Sequence, residues 1–273
     1  MTSSLKAPAF FISHGAPTFA IEPGVLGPRL QALGAQLASQ LKAVLVVSPH
    51  WQTRDVKVMT TRQPQTVHDF GGFSSKLNEL RYPAAGQPEL AEEAARLLTE
   101  AGFAVSVDDH RGLDHGAWVP LLHLLPQAQV PVFQVALPVA LSTAQAVKLG
   151  QALAPLREQG VLIVGSGSMT HNLYEFGQPV GAEPEAYAQE FEAWVRAAVL
   201  AQAVNPLIHY RAEAPHAERA HPTEEHFLPL LVALGAAQGD AVQVIDGGIT
   251  HGMLSMESYV WGMRQQAAEM GQG

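Results

Sequence analysis

An α/β fold, a single domain with a central, largely parallel or mixed β-sheet flanked by helices, follows from three features of this 273-residue sequence. Short β-branched apolar runs alternate with longer segments of helical period. The runs at 43–48 and 161–165 are almost continuously apolar, as central strands covered on both faces must be. No charge block, low-complexity tract, Ser/Gly-rich linker or solenoid-type repeat divides the chain, so one domain is expected to span residues 1–273.

In chain order, the first strand is expected at Ala9–Ser13 and the first helix at Leu26–Leu41. Strands at Ala43–Ser48 and Val56–Thr61 follow. Residues 62–87 have little periodicity and much Pro, Gly and His, and a loop that long in a compact domain is often a lid or substrate wall. Pro88 suits the first turn of a helix over Pro88–Ala101, where a missing N–H costs little. A strand at Ala104–Val107, a helix at Pro120–Leu125 and a strand at Val130–Ala136 come next. A helix at Ser142–Gln159, a strand at Val161–Gly165 and a helix at Pro184–Ala203 continue the alternation. Residues 204–222 form the second long loop. The last long helix, Thr223–Ala237, has a capping Thr223, acidic Glu224 and Glu225 at its positive end, and a Phe227, Leu230, Leu231, Leu234 stripe. A strand at Ala241–Ile245 follows, and Met256–Gly262 is expected to add an edge strand.

Composition narrows the function. Asp and Glu total 25 against 16 Lys and Arg, a net charge of −9, which argues against a nucleic-acid partner. There are no cysteines, so disulfides, thiolate metal sites, iron–sulfur clusters and a cysteine nucleophile are excluded, and a metal would have to be held by His, Asp or Glu. The apolar run Ala9–Ile12 is too short for a signal peptide, and no run approaches a membrane span. A soluble, cytoplasmic protein acting on a small molecule, with no membrane partner, is the expectation; oligomeric state leaves no sequence signal.

Four histidines stand beside apolar elements: His14 in Ser-His-Gly-Ala-Pro, His50 in Ser-Pro-His-Trp, His171 after Gly165-Ser166-Gly167-Ser168, and His226 in Thr-Glu-Glu-His-Phe. The first three follow predicted strands, and strand carboxyl ends of an α/β sheet converge on one crevice. Imidazoles gathered there can bind a metal or move protons near neutral pH. Each has a plainer reading as a turn or helix-surface histidine, but two adjacent strands ending in His can supply neighbouring ligands. On a helix, His226 and Glu225 would point about 100° apart and are not expected to ligate together. His115 lies before Pro120, and Asp114 either orients an imidazole or caps a turn. The remaining histidines read as structural, with His221 and His251 as the exceptions. No phosphate loop, Gly-x-Ser-x-Gly elbow or His-Glu-x-x-His motif is present.

Taken in order, Ser13–Pro17, Ser48–Trp51, Asp69–Phe73 with Tyr82–Ala84, Gly112–Leu121, Gly165–Leu173 and Pro222–Leu230 resemble the class III extradiol ring-cleavage dioxygenases, in their DOPA 4,5-dioxygenase-like branch. The ordered set runs over nearly the whole chain. The resemblance implies a non-haem, metal-dependent enzyme that opens a catechol with O2 to a muconic semialdehyde. It implies metal ligands His14, His50 and His226, with His171 as acid/base or fourth ligand and His115 handling substrate or oxygen. Iron(II) is the expected cofactor; an all-histidine set also suits zinc. Ser48-Pro49 departs from the branch's usual Ser-Ala. A zinc hydrolase using Glu225 or His171 as base and a non-catalytic, Memo-like metal-binding protein stay open as alternatives. Arg54, Arg81 and Arg211 are candidate partners for a substrate carboxylate. DOPA, caffeate, protocatechuate and other catechols are all compatible with the sequence.

Overall fold

In a computed structural model describing residues 6–263, one eight-stranded mixed sheet carries the fold. Its strands are β1 (Ala9–Ser13), β2 (Ala43–Thr53), β3 (Val56–Met59), β4 (Val105–Asp108), β5 (Val132–Pro138), β6 (Val161–Gly167), β7 (Val242–Ile245) and β10 (Ser258–Trp261). They lie in the order β4-β3-β5-β2-β6-β1-β10-β7. The four central strands β5, β2, β6 and β1 are mutually parallel, whereas β3 on β5, β10 on β1 and β7 on β10 are antiparallel. Strands β8 (Ile249–Thr250) and β9 (Leu254–Ser255) form a separate hairpin.

The central strands are buried throughout their apolar runs, Val44–Val47 and Val161–Val164 among them, as continuous β-branched sequence requires. Helices α1 (Leu26–Leu37), α2 (Pro88–Glu100), α3 (His115–Leu124), α4 (Thr143–Leu153), α5 (Pro155–Glu158) and α6 (Ala186–Leu200) follow the expected alternation. The short helices α7 (Val204–Ile208), α8 (Tyr210–Glu213) and α9 (Ala217–Ala220) lead to α10 (Leu228–Ala236). Side chains alternate faces along β6, so Gly165 faces α10 and Ser166 faces α3. A Cβ on Gly165 would stand 2.0 Å from the Pro229 carbonyl oxygen, and Ser166 donates to the Gly116 carbonyl at 2.5 Å.

Several elements differ from the sequence reading. The helix expected from Thr223 begins only at Leu228, and it is buried on every side rather than amphipathic. Pro120 sits inside α3 instead of opening it; Asp114 caps that helix through its side chain, accepting from Ala117 N. Pro155 divides the helix expected over Ser142–Gln159, whose start is fixed by a Ser142–Gln145 capping box. Residues 204–222 are largely helical rather than a loop. The tail contributes β10 as an inner strand between β1 and β7, not an edge.

Candidate active site

Parallel neighbours β2, β6 and β1 end side by side, which brings His50, His171 and His14 to one crevice. His14 follows β1 directly, and its N–H extends the ladder to the Gly167 carbonyl at 2.9 Å. His50 lies within β2, not beyond it: the strand continues to Thr53 through an irregularity between Ser48 and Gln52 that interrupts its register on β5. Such bulges re-aim a side chain. His115 is the first residue of α3, and His226 stands two residues before α10.

Five imidazoles expected from the sequence therefore converge. The His14 and His50 Nε2 atoms are 3.1 Å apart, the His50 and His115 ring centroids 3.9 Å, and the His14 and His226 centroids 5.6 Å. His171 stacks on His226 at 3.4 Å with a 10° interplanar angle. The potential ligand atoms fall into two close groups, His14–His50–His115 and His171–Glu225–His226. Residue 226 precedes the helix, and Glu225 lies beside it with Oε1 against the His226 Nδ1 at 3.1 Å.

Hydrogen bonding fixes three tautomers. The Ser166 hydroxyl hydrogen goes to Gly116 O, so its oxygen accepts from His14 Nδ1 at 2.9 Å. His115 Nδ1 donates to Asp69 Oδ1 at 2.9 Å, and His226 Nδ1 to Glu225 Oε1 at 3.1 Å. Each ring is left with a bare Nε2 lone pair, the arrangement in which outer partners orient metal-binding histidines. His226 Nε2 is buried without a hydrogen-bond partner. An orphaned, desolvated nitrogen is costly unless something binds it, and this atom is the structural sign that the cluster fits a cation.

Electrostatics agree. Burial, reinforced by neighbouring imidazoles, holds His14 and His226 far below the usual imidazole range. Burial pushes both His50 and His171 down to about 4. The rings are neutral at neutral pH, the form a metal requires. Asp69 is pulled up by burial, but the hydrogen bonds it accepts from the His115 ring and backbone outweigh that, for a net downward shift.

Asp114 organises the platform under His50. Fully buried, it accepts from Ser48 Oγ (2.7 Å), Gln134 Nε2 (2.8 Å) and Arg111 Nη2 (3.0 Å), while Arg111 also donates to the His50 carbonyl at 3.2 Å. Glycine is required at 116, where a Cβ would lie 2.3 Å from Ser48 Oγ and 2.9 Å from His50 Cδ2.

His50, His115, His171 and His226 line a cavity of about 220 Å³ whose apolar walls include Phe70, Phe73, Leu173, Phe176 and Leu254. The expectation of a wall from segment 62–87 is met by Phe70, Gly71 and Phe73. Segment 204–222 does not line it but packs behind, where His221 donates to the Met169 carbonyl at 2.9 Å. Arg54, Arg81 and Arg211 are also absent from the lining: Arg81 donates to the Asn78 and Leu80 carbonyls and Arg211 to that of His221. Sequence reasoning gave no role to Ser166 or Asp69. Ser166 carried no signal beyond its glycine neighbours, whereas Asp69, adjacent to Phe70 in a polar loop, was at least within a noted segment.

The buried neutral histidines make acid stability predictable. For His50, His171 and His221 the folded-state value lies at about 4, 4 and 3, below the unfolded value of roughly 6.5. Their contribution is therefore complete above that unfolded value and lost as pH falls toward the folded values. Each group costs up to about 1.4 kcal/mol per pH unit in that window. Urea titrations of metal-free protein at pH 7, 6 and 5 should show falling midpoints; a pH-independent midpoint would contradict neutral burial.

Comparison with known proteins agrees with this geometry. The chain is 40% identical over 255 residues to a "4,5-DOPA dioxygenase extradiol" of Beta vulgaris, covering 92% of this chain and 94% of that one. It is 36% identical over 261 residues to the protein of the same name in Escherichia coli K12, covering 94% and 95%. The crystal structure of the uncharacterized protein JW3007 from Escherichia coli K12 superposes with a TM-score of 0.78 at 32% identity, over 93% of this chain and 99% of that one. The family model described as the catalytic LigB subunit of aromatic ring-opening dioxygenase matches residues 8–261. With a histidine cluster at the strand ends of a matching fold, the chain belongs to the LigB family of aromatic ring-opening dioxygenases.

Proposed function

We propose that this protein is an extradiol dioxygenase that opens a catechol to a muconic semialdehyde, with iron(II) held by His14, His50 and His226. The observation carrying the ligand set is the buried, unpartnered Nε2 of His226 beside the facing Nε2 atoms of His14 and His50. A bound metal supplies a Lewis acid and template for the two catechol oxygens and for O2; zinc fits the same donors but has no redox chemistry.

This chain's residues supply the rest. His171, neutral at working pH and stacked on His226, takes the phenolic proton as the catechol binds and returns it when the O–O bond breaks. His115, with Nδ1 committed to Asp69, directs Nε2 toward the cavity and hydrogen-bonds the oxygen that reacts. Phe70, Phe73 and Phe176 enclose the aromatic ring and exclude water. Asp69→Asn is expected to lower kcat about 10–100-fold, as loss of an outer orienting partner does, with little change in metal content; an unchanged kcat would remove Asp69 from the mechanism.

A second ligand set is favoured by one observation, the close grouping of His115 with His14 and His50. Metal content of the His115→Ala and His226→Ala variants separates the two sets. The activity itself is tested by oxygen uptake of iron(II)-loaded and zinc-loaded protein offered a panel of catechols. Uptake coupled to a yellow product with iron alone is expected; uptake with no catechol, at confirmed iron occupancy, rejects the proposal.

A further inference from the structure

The turn that carries His171, residues 168–171, is tied to residues 220–226, the stretch that ends in His226. Two of the ties run between backbones: His171 N–H donates to the Ala220 carbonyl at 2.8 Å, and Ser168 N–H to the His226 carbonyl at 3.0 Å. A third comes from a side chain. His221 Nε2–H donates to the Met169 carbonyl at 2.9 Å, while Met169 N–H is held from the other side by Ser13 Oγ at 3.0 Å. His221 is fully buried, its ring among those of Phe191, Tyr210 and Phe227 at centroid distances of 5.5, 6.2 and 5.3 Å. Burial holds it at about 3, so the neutral ring carries one proton, and the carbonyl acceptor places that proton on Nε2. Nδ1 is then a bare lone pair, buried with no hydrogen-bond partner among the described residues. Such a nitrogen is costly, and a leucine would fill the same aromatic nest without one. What the histidine adds over an apolar side chain is its bond to Met169.

We propose that His221 is a positioning residue for ring opening: by holding the Met169 carbonyl it sets the stack of His171 on His226, and so the place from which His171 exchanges its proton. This rests on the reading of His171 as the acid–base group. The His171 imidazole makes no hydrogen bond among the described residues. Its aim is inherited from the backbone beneath it and from the His226 ring, 3.4 Å away at 10°. Proton transfer requires hydrogen-bond reach, and a displacement of about 1 Å costs on the order of 100-fold in rate. His221 does not line the histidine cavity, so its effect passes through the turn and not through substrate contact.

Oxygen uptake and iron content of iron(II)-loaded protein, with ring-proton NMR of the metal-free protein, test this in His221→Gln, His221→Leu and His221→Asn. Glutamine places an amide N–H where Nε2 lies; leucine has no donor, and the shorter asparagine amide falls short of Met169. In the leucine and asparagine variants kcat is expected to fall about 10–100-fold, and in His221→Gln to stay within about threefold of the parent. Catechol KM and iron content should hold in all three. The shielding that a stacked ring imposes on the His171 ring protons should survive only in the parent and His221→Gln. Thermal melts verify folding; if one donor-less variant fails to fold the other decides, and failure of both makes His221 structural and overturns the inference. So does a parental kcat without the donor, a glutamine variant as slow as the leucine one, or loss of iron along with kcat. If the parent itself opens no catechol, the acid–base reading fails and the shielding alone decides. Shielding lost without the donor and kept with glutamine upholds the positioning; unmoved shielding sinks it.

Discussion

Alanine at position 14 is expected to abolish metal binding and ring opening together. His14 is the ring to which the others are referred: its Nε2 is 3.1 Å from that of His50, and its centroid 5.6 Å from those of His115 and His226. Its tautomer is locked by Ser166, so no rotation is needed to present the lone pair. Losing an outer partner such as Ser166 should cost about 10–100-fold in metal affinity, and losing the ligand itself should cost more. Elemental analysis after dialysis should find near-stoichiometric iron in the parent and almost none in His14→Ala, with Ser166→Ala between them. Full iron retention by His14→Ala would require a different ligand set.

The second large effect is expected at His171. Alanine there should lower kcat by about 10²–10⁴, the range for a positioned general acid–base group, while metal content holds. The ring nitrogens of His171 have no hydrogen-bond partner among the described residues, and burial keeps the ring at about 4. A free, neutral base is poised for a proton that arrives with the substrate. Its backbone is held firmly, with N–H donating to the Ala220 carbonyl at 2.8 Å, so truncation should leave the loop in place. Single-turnover kinetics on iron-loaded His171→Ala would show tight catechol binding and slow opening. A rate within threefold of the parent would assign proton transfer elsewhere, and simultaneous loss of iron would make His171 a ligand.

The central sheet was legible because its strands are doubly covered and so leave continuous apolar runs, as at Val44–Val47 and Val161–Val164. The histidines at strand ends were legible for the same reason, each a polar ring where an apolar run stops. His50 shows the limit: the bulge that carries β2 through it depends on its neighbour β5 and has no local pattern. The start of the last long helix was misplaced because Thr223 followed by Glu224 and Glu225 imitates a helix start, whereas the His226 and Pro229 carbonyls pack on Gly167 and Gly165 and the helix begins at Leu228. Asp69 and Ser166 escaped because their partners, His115 and His14, are 46 and 152 residues away. Hydrogen bonds over such separations are set by the tertiary fold.

The inner placement of β10 bears on how the protein is made. Until residues 258–261 emerge from the ribosome, β1 has β6 on one side and an open row of backbone groups on the other, along Ala9, Phe10 and Phe11. Open apolar edges recruit other strands. The crevice also lacks its floor at that stage, because Ser13 Oγ donates to the Glu257 carbonyl and Ser13 N to Ser258 Oγ. Completion of the pocket and closure of the sheet therefore both wait on β10. A chain stopped before residue 258 should be not merely inactive but prone to aggregate.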